Sequence, residues 1–240
     1  MSGFFYAIGG ANYEKKESLT IDLDILKQVN KDNPKVLYIN AANPEIKKAL
    51  KFKEYYEELG FVVKLLEPND DIVSLFSQAD IIYYGGGITS RLKEFIIQNN
   101  LLELTINAYI SGKIIVGVSA GAIVFFEYGF GDKEAYVFNL ETVNHKLTEG
   151  IGFFNGIFCP HYQNSGLLSF HDEIKKYPLD AFALENGAAL KINEKGYIVV
   201  KGKGCNAFRF DYKDNYRLDY LKKDVLYPCC LFKNSLKGGF

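Results

Sequence analysis

The run Ile114-Ile115-Val116-Gly117-Val118 is apolar on both faces of an extended chain. A strand with one solvated face alternates apolar and polar residues. One that is apolar throughout belongs at the centre of a parallel sheet covered by helices on both sides. The preceding sequence fits that frame. Phe4–Ile8, residues 36–39, residues 62–66 and Ile81–Tyr84 are further short apolar runs that read as buried strands. Between them, Leu19, Leu23, Leu26 and Val29 recur at helical spacing, and residues 45–59 read as a second helix with Leu50 and Tyr55 inward. Strands alternating with amphipathic helices predict an α/β fold with a mostly parallel sheet.

After Tyr128 the rhythm changes. Residues 135–143, 157–159, 181–184, 188–192 and 197–200 read as strands with short connections, and Asn193 to Gly196 is a turn signal between the last two. The segment from Lys201 onward is aromatic and charged and matches no single period. With no Pro- or Ser-rich linker, no repeat and no low-complexity tract, residues 1–240 read as one domain with extra strands in its C-terminal part.

Composition narrows the partners. The 28 basic and 29 acidic residues leave a net charge of -1, which gives no electrostatic footprint for nucleic acid or an anionic membrane. No run approaches the roughly 18 apolar residues of a spanning helix, and the N-terminus MSGFFYAIGG lacks the basic start and apolar stretch of a signal peptide. Cys159, Cys205, Cys229 and Cys230 form no CxxC pair and no disulfide framework. The expectation is a cytoplasmic protein acting on a small molecule or peptide, as a monomer or a homodimer.

Gly117-Val118-Ser119-Ala120-Gly121 matches the G-x-S-x-G pattern of a nucleophile elbow. Three fixed positions in five are weak alone. The context strengthens them: an apolar strand ends at Val118, and residues 122–126 read as a buried helix. Strand, sharp turn and helix expose the serine hydroxyl and aim free amides at a developing oxyanion. The competing reading is a tight turn with a helix-capping serine.

Such a serine needs a base, and the chain has three histidines. His145 lies in a polar run and reads as a surface residue, and His171 reads as the start of an amphipathic helix. His161 follows the apolar run 157–159 and Pro160, at a strand's carboxyl end, where open α/β sheets place their sites. Glu185 ends the apolar run Ala181–Leu184 and is a candidate for the acid that orients the imidazole, with Asp132 and Asp172 as loop-like alternatives and Asp180 as a cap of the strand before it. The run Gly85-Gly86-Gly87 follows a strand and opens a helix, so the amides of Gly86 or Gly87 can join that of Ala120 around a carbonyl oxygen. A phosphate-binding loop competes, but neither GxGxxG nor GxxxxGK[ST] is present.

Taken together, Gly85-Gly86-Gly87-x-Thr89, Gly117-x-Ser119-Ala120-Gly121-Ala122, Pro160-His161-Tyr162 and Leu184-Glu185-x-Gly187 resemble the dipeptidase E and cyanophycinase-like serine peptidases. The resemblance spans Gly85 to Gly187, and the earlier strands fit it too. It implies a flavodoxin-like fold shared with class I glutamine amidotransferases, in which cysteine occupies the elbow. With serine there, it implies hydrolysis by Ser119 as nucleophile, His161 as base and Glu185 as orienting acid, with Gly87 and Ala120 at the oxyanion. Two positions depart from the family. Ile88 stands where asparagine usually follows the glycines, and no arginine lies between His161 and Glu185, where members that cleave after an N-terminal aspartate carry one.

The expectation is therefore a serine exopeptidase for dipeptides or other small peptides, working through an acyl-enzyme with no metal or organic cofactor. Arg91, Tyr162 and Phe170 are the candidate substrate contacts, and discrimination in favour of Asp-X dipeptides should be weak. The rivals are an amidase or esterase on the same triad, and a binding or regulatory protein that keeps the fold without turnover.

Overall fold

A computed structural model of the protein describes residues 2–43, 45–132, 145–163, 168–229 and 231–233. Five strands are parallel: β1 (Phe4–Ile8), β2 (Lys35–Ile39), β3 (Val62–Leu65), β4 (Ile81–Tyr84) and β5 (Ile114–Val118). They lie in the order β3-β2-β4-β5-β1. Counted from β2, the first four follow the doubly wound flavodoxin-like order, and the fifth place is taken by the strand that starts the chain. Beyond β1 the sheet continues antiparallel through β10 (Ala188–Asn193), β11 (Gly196–Lys201) and β14 (Leu226–Tyr227). The turn read at 193–196 is the β10–β11 hairpin, which pairs Asn193 with Gly196.

The apolar run of β5 fills two cores at once. Ile115 packs on one face with Phe5, Leu37, Ile82 and Tyr84, while Ile114, Val116 and Val118 pack on the other with Tyr6, Val36, Ile81 and Tyr83. Successive side chains of a strand point to opposite faces, so a two-sided core requires unbroken apolarity. The first face is covered by α3 (Ile72–Gln78), α4 (Thr89–Gln98), α5 (Leu101–Ile110) and α6 (Ala120–Ile123), and the second by α1 (Leu19–Val29) and α2 (Ile46–Glu58).

A second sheet runs β13-β12-β9-β8-β6-β7. It comprises β6 (Phe126–Asp132), β7 (His145–Glu149), β8 (Phe154–Cys159), β9 (Ala181–Leu184), β12 (Ala207–Asp211) and β13 (Arg217–Tyr220). Phe126, Phe154, Phe158 and Phe182 of this sheet share a core with Phe5 and Leu190 of the first. The aromatic segment after Lys201 thus supplies β12, β13 and β14. A helix α7 (Leu168–Ile174) covers part of the second sheet through Phe170 and Ile174.

Three local expectations need correction. The stripe Leu19, Leu23, Leu26 and Val29 forms in α1 but is only partly buried: Leu26 and Val29 pack on the core, Leu23 is 49% exposed, and Ile21, Asp22 and Ile25 point inward. In α2, Tyr55 is buried but Leu50 is 51% exposed, with Ala49, Phe52 and Tyr56 inward instead. The helix after Ser119 stops at Ile123, and the aromatic run beyond it turns into β6. The strand read at 135–143 lies outside the described residues.

A buried carboxylate explains the rotation of α1. Ser18, Tyr55 and Tyr56 donate hydroxyl hydrogen bonds to Asp22 at 2.8, 2.8 and 2.6 Å. Burial pushes the Asp22 carboxyl up from 3.8 to about 6, against those three donors, which pull it down. Between those two values the folded chain holds a proton that the unfolded chain has released. Asp22 therefore contributes most below about pH 4, and that contribution is lost as pH rises to about 6, by about 3 kcal/mol. Urea midpoints of the wild type and Asp22→Asn, measured from pH 4 to 8, should diverge across this window in favour of the variant. Parallel profiles would exclude Asp22 as the source.

Candidate active site

The carboxyl-end loops of four strands meet at the end of β1, and residues 8–10 tie them together. Ser119 ends β5, and its N–H donates to the Ile8 carbonyl at 3.0 Å. His161 follows β8, and its N–H donates to the Gly9 carbonyl at 2.9 Å. In the β9–β10 turn, the Gly187 N–H donates to the Gly10 carbonyl, also at 2.9 Å. Residues distant in sequence are thus held in one constellation by backbone hydrogen bonds to a single segment.

Ser119 has φ 53° and ψ -115°, a backbone that costs a residue with a side chain about 1–3 kcal/mol. The elbow is held tight by close backbone packing. A Cβ at Gly117 would lie 2.1 Å from the Gly121 carbonyl oxygen, and one at Gly121 would lie 2.1 Å from that of Tyr84. His161 is also left-handed, with φ 54°. Its Nε2 lies 2.9 Å from the Ser119 Oγ and its Nδ1 lies 2.7 Å from the Asn186 Oδ1. An amide oxygen only accepts, so the Nδ1 carries the proton and the Nε2 lone pair faces the serine hydroxyl.

Glu185, expected to hold the imidazole, does not. Its carboxylate accepts from the Asn206 N–H at 2.7 Å and from the Asn206 Nδ2 at 3.2 Å, tying the end of β9 to the residues before β12. In the turn that follows β9 it is Asn186, not Glu185, whose side chain meets His161. The alternative Asp172 is engaged elsewhere, with Lys175, and Asp180, before β9, pairs with Arg209. The side chain of Asp132 lies outside the described residues.

Ser119, His161, Gly86 and Gly87 line a cavity of about 300 Å³ together with Tyr13, Tyr38, Asn12, Asn43, Glu14, Lys48 and Lys51. Among the described residues, the amides of Gly86, Gly87 and Ala120 donate no hydrogen bond to a backbone carbonyl. Ala120, the first residue of α6, is itself buried. Among the described residues, no group of three His, Cys, Asp or Glu side chains is placed to hold a metal ion, and no helix is long and apolar enough to cross a membrane.

Residues 5–200 match the family described as Peptidase family S51. The chain belongs to peptidase family S51. It is a serine-type peptidase. This S51 chain is 29% identical over 214 residues to the uncharacterized peptidase YgaJ of Bacillus subtilis strain 168, covering 85% of the chain and 90% of that protein. The crystal structure of a peptidase from an acI-B1 Actinobacterium shares the fold at a TM-score of 0.71 and 20% identity, covering 95% of this chain and 98% of that one. A putative peptidase E protein from Listeria monocytogenes EGD-e does so at 0.63 and 18%, covering 85% and 100%.

The substrate contacts expected from the sequence are not in the S51 chain's cavity. Arg91 lines a separate cavity of about 500 Å³ with Asn40, Leu66 and Phe95, beyond the carboxyl ends of β2 and β3. Phe170 is fully buried against Phe130 and Phe210. The Tyr162 hydroxyl is 2.8 Å from the His171 Nε2, and its ring packs on Phe208. These residues support the second sheet. The cations at the cavity are Lys48 and Lys51 of α2, with Lys51 paired to Glu14. The apolar spacing of α2 carries no sign of them, because they lie off its buried face. The rule that strand carboxyl ends build the site also covers the start of the helix that follows.

Gly10 carries a geometric requirement. A Cβ there would lie 2.1 Å from the Asn186 Oδ1 and 2.5 Å from the His161 Nδ1. Gly10→Ala must push the imidazole or the amide aside, and displacements near 1 Å at a catalytic group cost about a hundredfold. Peptide hydrolysis by Gly10→Ala should fall by about that factor, with an unchanged far-UV circular dichroism spectrum. Full activity would show that the His161–Asn186 contact is dispensable.

Proposed function

We propose that the protein is an exopeptidase for dipeptides or other short peptides, with Ser119 as nucleophile, His161 as general base and Asn186 as the residue that orients His161. The observation that carries this reading is the 2.9 Å contact of the Ser119 Oγ with the His161 Nε2 on a strained elbow that opens into a cavity. Ser119 gives its proton to the His161 Nε2 as its Oγ bonds to the scissile carbonyl carbon. The imidazolium then passes that proton to the departing amine, and the C–N bond breaks. Water, activated by the same imidazole, frees the acyl group and restores the hydroxyl. The free amides at Gly86, Gly87 and Ala120 are the donors suited to the carbonyl oxygen as it gains charge.

A cavity of about 300 Å³ sits at the lower end of small-ligand sites and favours a short peptide over a folded chain. The test is an alkyl fluorophosphonate probe followed by peptide mapping, alongside hydrolysis of a dipeptide and tripeptide panel. Labelling should fall on Ser119 alone, and pre-labelled protein should cleave nothing. Labelling at another residue, or rapid turnover of simple esters with none of peptides, would overturn the exopeptidase reading.

A further inference from the structure

A neutral amide at the third position leaves two matters open. It can turn over, presenting Nδ2 instead of Oδ1 to the imidazole, and it carries no charge to stabilise an imidazolium. A carboxylate behind it answers both. Glu17, in the segment before α1, accepts a hydrogen bond from the Asn186 Nδ2 at 2.9 Å. A carboxylate is acceptor-only, so it commits the Nδ2 to itself and turns the Oδ1 toward His161. We propose that Glu17 is a positioning residue that fixes the Asn186 amide and, through it, the tautomer of His161. The inference rests on the hydrolase reading given above.

The surroundings are built for this contact. Gly187 has φ +73°, and a Cβ there would lie 2.6 Å from the Glu17 backbone carbonyl oxygen. The turn that carries Asn186 therefore presses directly on the segment that carries Glu17. The Glu17 N–H donates to the Asn12 carbonyl at 3.1 Å, and the Asn186 N–H donates to the Gln163 Oε1 at 3.0 Å, so both backbones are anchored. Glu17 and Asn186 are both half-buried, which strengthens a charge-assisted hydrogen bond relative to one in water. Glu185, Cys205 and Lys201 are the neighbouring titratable groups. Burial, followed by the charges of Glu185 and Glu17, pushes the Cys205 thiol up. Glu185 itself is taken up by Asn206, leaving Glu17 as the carboxylate bound to Asn186.

The polarity of this chain of hydrogen bonds can be reversed on purpose. Asn186→Asp alone sets two acceptor-only carboxylates face to face. Adding Glu17→Gln restores a donor against the new carboxylate and moves the negative charge one position nearer the imidazole. The kcat/KM of Asn186→Asp should therefore fall, and the double variant should recover at least about tenfold of that loss, because residues in one hydrogen-bonded network couple. Its acid limb should also lie at higher pH than that of the wild type, since a carboxylate now touches the Nδ1. Glu17→Gln alone should lower kcat/KM with little change in KM and move the acid limb to lower pH. Imidazole ¹⁵N shifts report the tautomer without turnover, and only three histidines need assignment. They should show the Nδ1–H form in the wild type and a mixture in Glu17→Ala.

Additive fold-changes in the double variant, or a wild-type tautomer in Glu17→Ala, overturn the proposal. Hydrolysis that survives Ser119→Ala, with the tautomer responding as stated, overturns Ser119 as the nucleophile and leaves the Glu17–Asn186 contact standing as structure alone.

Discussion

Ser119→Ala should abolish peptide hydrolysis, with turnover falling by up to about six orders of magnitude, as removal of a triad nucleophile does. The reason is local. The Ser119 Oγ is the group that the His161 Nε2 contacts at 2.9 Å, and no other described serine shares that histidine. The fold should tolerate the change. The Ser119 N–H still reaches the Ile8 carbonyl, and its own carbonyl still accepts from Ala122 and Ile123 at 2.9 Å. Ser119→Gly should be equally inactive yet more stable, because glycine adopts φ 53° without a Cβ penalty of about 1–3 kcal/mol. Thermal melts and dipeptide turnover of the two variants separate function from stability. Hydrolysis near the wild-type rate in either would show that the nucleophile lies elsewhere.

The second large effect distinguishes two adjacent residues. Asn186→Ala should lower kcat by about two to four orders of magnitude. The loss of an orienting partner releases the imidazole from its Nδ1–H tautomer, and in Ser-His-Asp enzymes that loss reaches about 10⁴. A neutral amide supplies orientation without charge, which places the effect at or below that figure. Glu185→Ala should behave differently. It leaves the Asn206 N–H and amide without their acceptor, costing about 1–3 kcal/mol of stability. It leaves the His161 contacts in place, so kcat of the folded protein should stay within about tenfold of wild type. Steady-state kinetics at a temperature where both variants remain folded give the comparison. A severe kcat loss confined to Glu185→Ala would return Glu185 to the triad.

The two residues show where local reading ends. Both stand at the end of the apolar run Ala181–Leu184, and the acid is the expected partner for a histidine by residue type. Which of them turns toward His161 depends on β9 being paired with β12, whose preceding residue Asn206 claims the carboxylate. That pairing joins segments more than 20 residues apart. The segment from Lys201 onward, which carries it, shows no clear period in the sequence. The placement of Phe170 is also long-range. Phe170 is an aromatic near the histidine in sequence, but α7 lays it into the core under the second sheet.

Alone, the sequence determined what short-range physics controls. Unbroken apolarity in residues 114–118 required a central strand between two layers, and the small residues flanking Ser119 required a tight turn after it. Pro160-His161 at the end of another apolar run put the histidine at a strand's carboxyl edge. Those signals hold because strand burial, elbow sterics and turn chemistry are set within a few residues. The tertiary structure decided everything that depends on what lies across a gap. It set which face of α1 turns inward, since Tyr55 and Tyr56 from α2 supply the donors that make a buried Asp22 tolerable. It set the joining of residues 8–10 to three loops far along the chain, and the meeting of Glu17 with Asn186 across 169 residues. Contacts of that kind carry no local period or propensity, because their free energy depends on groups that become neighbours only when the sheets close.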